Sequence, residues 1–100
     1  MALNRRGMKI QDKVVVITGS SKGLGKSLAY VFAKEGAKVV VNARSKDELM
    51  EAAKDIGAFP VVADVTKEGE VLALANAVIN KYGRIDIWIN NAGIWMPHVP

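Results

Sequence analysis

Hydrophobic positions in this chain follow two rhythms that alternate from residue 13 onward. Residues 13–18, KVVVIT, form an unbroken apolar run, which predicts a strand buried on both faces. Over 24–35 the spacing becomes helical, with Leu24, Leu28, Val31 and Phe32 apolar and Gly36 placed to end the helix. A second run, KVVV at 38–41, predicts the second strand. Ser45 and Glu48 have the S-x-x-E spacing of a capping box. They open a helix with Leu49, Ala52, Ala53 and Ile56 on its inner stripe and Gly57 at its end. Residues 59–63 predict a short third strand. Thr66 is placed to cap a third helix, Glu68 sits near that helix's positive end, and Val71, Leu74, Ala75, Val78 and Tyr82 form its inner face. IDIWIN at 85–90 predicts a fourth strand.

Strand and helix alternating through short connections imply an α/β fold with a parallel sheet and right-handed crossovers. The expected architecture is the N-terminal half of a Rossmann-type doubly wound sheet, βαβαβαβ, with strand order 3-2-1-4. Ligands of such sheets bind beyond the C-terminal ends of the strands, where the order reverses.

Composition narrows the reading only slightly. The 100 residues suit one small domain, expected over 13–100, with residues 1–12 as an N-terminal extension in which Met8 is an alternative start. Cysteine is absent, which excludes disulfides and thiolate metal sites and fits a reducing, cytoplasmic setting. Apolar runs are too short to cross a membrane, and the basic N-terminus lacks the apolar core of a signal peptide. The net charge of +4 is spread among acidic residues with only six aromatics, which argues against nucleic-acid binding. No metal-ligand cluster is visible, and His98 stands alone near the end of the chain.

The most informative segment is TGSSKGLG, residues 18–25, between the first strand and the first helix. Gly19 permits a tight turn, while Gly23 and Gly25 permit close approach of the backbone to a ligand. The unpaired N–H groups at the helix start suit a pyrophosphate. Ser20 and Ser21 offer hydroxyls and Lys22 a cation. The spacing differs from G-x-G-x-x-G. It is not a Walker A loop either, since Ser20 stands where that motif needs glycine. The alternative is a structural turn without a ligand.

TGSSKGLG together with NNAG at 90–93 resembles the short-chain dehydrogenase/reductase family, whose pattern is T-G-x-x-x-G-x-G after the first strand and N-N-A-G after the fourth. Asp64-Val65 and the phrase GRIDIWINNAG extend the resemblance over residues 8–96. It implies that Gly19, Ser20, Ser21, Lys22, Gly23, Leu24 and Gly25 line the pyrophosphate and adenosine ribose of a nicotinamide dinucleotide. Asp64 would accept a hydrogen bond from the adenine amino group, with Val65 beside it; the alternative is a turn-forming Asp before a helix. Asn91, Ala92 and Gly93 would lie against the cofactor, and Asn90 would tie neighbouring strands together.

The end of the second strand bears on which cofactor is bound. An acid there favours NAD by bonding the ribose 2′-hydroxyl. Here the segment reads Val41-Asn42-Ala43-Arg44, with no acid before Asp47 and Glu48. Arg44 offers a planar charged fork to the 2′-phosphate of NADP, with Lys22 opposite, so NADP is expected over NAD. The alternative for Arg44 is a solvated loop cation.

The family's chemistry uses a Ser, a Tyr-x-x-x-Lys pair and a further Asn beyond the NNAG segment, and none of these is assigned in this chain. Tyr30 and Lys34 match Y-x-x-x-K by letter but fall within the first predicted helix. The sequence therefore reads as the cofactor-binding half of an oxidoreductase, truncated after the fourth strand, with no catalytic set and no legible substrate. A non-catalytic dinucleotide-binding module is the alternative. Such a truncation leaves the fourth strand as an open apolar edge, with Trp88 and Trp95 nearby, which predicts self-association or marginal stability.

Overall fold

Valine-rich runs fill the centre of the molecule because β-branched side chains pack well on a pleated surface buried from both sides. The computed structural model describes residues 9–92. Four strands, β1 (Val14–Ile17), β2 (Lys38–Ala43), β3 (Phe59–Val62) and β4 (Ile87–Ile89), alternate with the helices α1 (Gly23–Lys34), α2 (Lys46–Ile56) and α3 (Glu68–Tyr82). All strand pairs are parallel and the order is β3-β2-β1-β4, as the sequence predicts.

Successive β1 residues serve opposite faces. Val15 and Ile17 pack with Val39 and Val41 against Ala29 of α1 and Leu49 and Ala53 of α2. Val14 and Val16 pack with Val40 against Leu74 and Val78 of α3. The chain steps outward from β1 to β3 through α1 and α2, then crosses back to β4 through α3. Right-handed crossovers put helices on opposite faces when the direction of travel reverses. The two-sided core thus follows from the strand order.

Three local expectations change. In α1, Leu24 and Val31 are 66% and 57% exposed, and the buried residues are Gly25 and Ala29, flanked by Leu28, Phe32 and Ala33. Small residues at 25 and 29 let the helix backbone approach the sheet, and this close approach decides which face turns inward. Ser45 is the N-cap of α2 by backbone conformation, but its side chain makes no capping hydrogen bond. Thr66 does not cap α3; Lys67 holds that position, and the Thr66 hydroxyl bonds Asp64 instead.

The N-terminal end of the sheet is closed by one carboxylate. Asp86 Oδ2 accepts from the Val14 amide at 2.8 Å and from Arg84 Nε at 2.9 Å. Arg84 Nη2 donates to the Asp12 carbonyl at 3.1 Å, and the Asp12 amide donates to Gly36. The Val14 amide, followed by Arg84, holds the Asp86 carboxyl below the ordinary aspartate range. This clasp explains why β4 begins at Ile87 rather than at Ile85. Ile85 packs instead with the core cluster beneath α3. Among the described residues, β4 pairs only with β1. No described helix is long and apolar enough to cross a membrane, and no His/Cys/Asp/Glu group among the described residues is arranged to hold a metal.

Candidate dinucleotide-binding site

A cleft of about 710 Å³ lies across the C-terminal ends of the strands. That volume falls within the range of small-molecule and cofactor sites. Four segments line it: Gly19, Ser21 and Lys22 after β1; Asn42 to Ser45 with Glu48 at the end of β2 and start of α2; Ala63 to Thr66 after β3; and Ala92 after β4. The cleft spans the point where the strand order reverses, with Gly19 and Ala92 on either side of it.

The turn after β1 is locked by side chains distant in sequence. Gly19 has φ +60°, and a Cβ there would come within 2.9 Å of the Ala92 backbone. Asn91 Nδ2 donates to the Gly19 carbonyl at 2.9 Å, and the Ala92 amide donates to Thr18 Oγ1 at 3.0 Å. Thr18 Oγ1 in turn donates to Asn90 Oδ1 at 3.2 Å, so Asn90 ties β4 to β1 as expected. A Cβ on Gly25 would strike both the Gly19 carbonyl oxygen and Asn91 Nδ2. Gly25 is therefore required by packing within the protein. Gly23, at φ +61°, faces open space and supplies the backbone conformation that enters α1.

Asn42 is the structural centre of the cleft. It is 1% exposed. Its Oδ1 accepts from the Gly19 amide at 3.3 Å, and its Nδ2 donates to the carbonyls of Val61 at 3.0 Å and Ala63 at 3.2 Å. Its backbone exchanges hydrogen bonds with Ser20: the Asn42 amide donates to Ser20 Oγ at 2.9 Å, and the Ser20 amide donates to the Asn42 carbonyl at 2.8 Å. One carboxamide thus holds the turn, β2 and β3 at fixed spacing.

The side of the cleft formed by the ends of β2 and β3 is more open. Asp64 Oδ1 accepts from the Thr66 hydroxyl at 2.6 Å and the Thr66 amide at 3.0 Å. The hydroxyl bond first, then the amide bond and the nearby Arg44 charge, lower the Asp64 carboxyl from its ordinary range. Glu70 Oε1 accepts from the Asp64 amide at 2.7 Å. Lys22, the N-cap of α1, makes no side-chain cap, and Lys22, Arg44, Ser45 and Glu48 are all exposed at the rim.

The family model for short chain dehydrogenases matches residues 13–100. The chain belongs to the short-chain dehydrogenase family. It is 45% identical over 87 residues to a mitochondrial borneol dehydrogenase of Lavandula x intermedia, covering 86% of this chain and 33% of that protein. A crystal structure of a short chain dehydrogenase from Bacillus anthracis is 42% identical, with a TM-score of 0.79 over 84% of this chain and 36% of the other. The 3-ketoacyl-(acyl-carrier-protein) reductase of Brucella melitensis, crystallised with NADH, is also 42% identical, with a TM-score of 0.76 over 79% of this chain and 34% of the other. The chain spans about a third of the length of these relatives.

The motif positions of this short-chain dehydrogenase divide into two groups. Gly19, Ser21, Lys22, Arg44, Asp64, Val65 and Ala92 meet around the cleft. Ser20, Gly23, Leu24, Gly25 and Asn91 do not line it. Ser20 is fully buried, and its hydroxyl donates to the Ile17 carbonyl at 2.7 Å while accepting from Asn42, which removes it as a ligand donor. Asn91 spends its amide on Gly19. Asp64 is in the turn-forming state, with Oδ1 held by Thr66. Gly93, Trp95 and His98 lie outside the described residues. Tyr30 and Lys34 are exposed on α1 and do not border the cleft. Asn42, Ala43, Ser45, Glu48, Ala63 and Thr66 also line the cleft without having been marked by the sequence as site residues. Only the polar interruption of the VVVNA run marked Asn42 as unusual.

Proposed function

We propose that this chain is the cofactor-binding half of an NADP-dependent short-chain dehydrogenase/reductase, transferring hydride between NADP(H) and a carbonyl or alcohol substrate. The observation that carries the cofactor choice is the exposed Arg44 guanidinium at the rim, just after a β2 that ends in Ala43 rather than in an acid. Lys22 lines the same cleft from the turn. An arginine fork suits a phosphate dianion, and an acid at the strand end would repel one.

The cleft fits a dinucleotide on grounds internal to the chain. The start of α1 carries no side-chain cap, so its amides are available to phosphate oxygens. Ser21 and Lys22 stand beside them, and Asp64, Val65 and Thr66 offer a shelf for adenine. The bound dinucleotide would supply hydride at its nicotinamide ring. The chain's own residues hold the phosphates, orient the adenosine end and read the 2′ position.

Titration of NADPH and NADH against the wild-type chain and Arg44→Ala tests the reading. The expected result is tighter NADPH binding that falls about tenfold in the variant, with NADH little changed; the loss of one charge-assisted contact is of that size. Unchanged NADPH affinity overturns it. A purely dinucleotide-binding module is the second reading. We also place the protein in the cytoplasm, in keeping with its lack of cysteine. Self-association through the outer side of β4 completes the proposal, and sedimentation of the chain at increasing concentration tests it.

A further inference from the structure

We propose that Glu48 is a specificity-determining residue that opposes Arg44, so that the cleft reads the 2′ position through a balance of charges rather than through one arginine. The inference rests on the reading that this cleft holds a nicotinamide dinucleotide.

Among the described residues, the charged side chains lining the cleft are two cations, Lys22 and Arg44, and two acids, Glu48 and Asp64. These four carry no net formal charge, although the whole chain carries +4. A dianionic 2′-phosphate gains less from such a site than Arg44 alone suggests. The two acids differ in commitment. Asp64 is occupied by two hydrogen bonds from Thr66. The Glu48 side chain makes no hydrogen bond or ion pair with any described residue, although its spacing from Ser45 is that of a capping box. Ser45 likewise leaves its hydroxyl free of the α2 cap. The first turn of α2 thus presents to the cleft an unengaged hydroxyl and an unengaged carboxylate. The hydroxyl suits a phosphate oxygen. The carboxylate repels the dianion and can accept a hydrogen bond from a bare ribose 2′-hydroxyl.

Asp47 supplies the control within the same turn. It is also exposed and also acidic in the first turn of α2, but it does not line the cleft. Both acids lie in the first turn of α2, where a negative charge favours the helix, so each variant removes one such charge from the same turn. Only a local charge effect separates them.

The test measures Kd for NADPH and NADH by calorimetry on the wild-type chain, Glu48→Gln, Asp47→Asn and Arg44→Ala at low and high salt. Removing one exposed carboxylate near a phosphate dianion shifts its binding ~3- to 10-fold. The expected result is that Glu48→Gln raises the NADPH/NADH affinity ratio by at least that factor, tightening NADPH and weakening NADH. Asp47→Asn changes neither, and high salt shrinks the effect. Glu48→Lys moves NADPH further in the same direction. An unchanged NADPH/NADH ratio in Glu48→Gln, with the ratio lowered in Arg44→Ala, overturns this inference and leaves the cofactor reading standing. Equal effects of Glu48→Gln and Asp47→Asn overturn it as well, by reducing it to net charge. Absence of nucleotide binding in the folded wild-type chain, or no effect of any variant, removes the cofactor reading and this inference together.

Discussion

The two sides of the cleft are built on opposite plans. On the turn side, Gly19, Ser20, Asn42 and Asn91 are joined by buried or half-buried hydrogen bonds, and a side chain at 25 has no room. On the side of β2 and β3, the side chains of Arg44, Ser45 and Glu48 are exposed and make no hydrogen bond to another described residue, and the Asp64 carboxylate is held only by Thr66. Rigidity is placed in the turn after β1, and freedom at the ends of β2 and β3. On the proposal that the cleft holds a nicotinamide dinucleotide, substitutions on the turn side should cost folding, and substitutions on the open side should change cofactor preference without cost to folding.

The largest test of that contrast is Gly25→Ala. Its Cβ meets a backbone carbonyl held by Asn91, so neither neighbour can yield cheaply. Denaturant unfolding should show a loss of about 3 kcal/mol or more, with nucleotide binding abolished. Asn42→Leu should come next. It strands the Gly19 amide and the Val61 and Ala63 carbonyls, a loss of about 2–3 kcal/mol in the same assay. Arg44→Ala should leave the unfolding midpoint within about 0.5 kcal/mol of wild type while lowering NADPH affinity. A destabilisation there comparable to Asn42→Leu would break the division between the two sides.

The smallest effect belongs to the far end of the sheet. The folded-state pKa of Asp86 is depressed from the ordinary aspartate value of 3.8. Its stabilising contribution is therefore present above that value and is lost as pH falls through the folded pKa. Stability curves for Asp86→Asn and wild type should run parallel above about pH 5 and converge below about pH 4. A gap that persists in acid would mean the carboxylate charge is not what closes the clasp.

Much of the fold was legible because its signals are local. The KVVVIT and KVVV runs, the helical spacings and the glycines after α1 and α2 each act within a few residues; together they gave the alternation of strand and helix, and the strand order followed from the doubly wound fold that this alternation implies. Of the cleft lining, the sequence marked those positions that stand in a motif or at a strand end, as at Gly19, Lys22 and Arg44. Ser20 read as a ligand donor because the motif placed it in the turn. The partner that buries it, Asn42, lies 22 residues away. Leu24 and Val31 had the right spacing for an inner stripe, but the close contact at Gly25 turned α1 so that they face outward. Such outcomes depend on which backbones approach most closely, and periodicity does not encode that distance.

The bonds from Asn91 to Gly19 and from Ala92 to Thr18 bridge 72 and 74 residues of chain. During synthesis the first strand and its turn leave the ribosome long before the residues that fasten them. Loops of that length close slowly compared with the formation of neighbouring helices. The turn after β1 is thus among the earliest segments made and among the last completed: on the nascent chain it stays an unfastened loop until the fourth strand has docked.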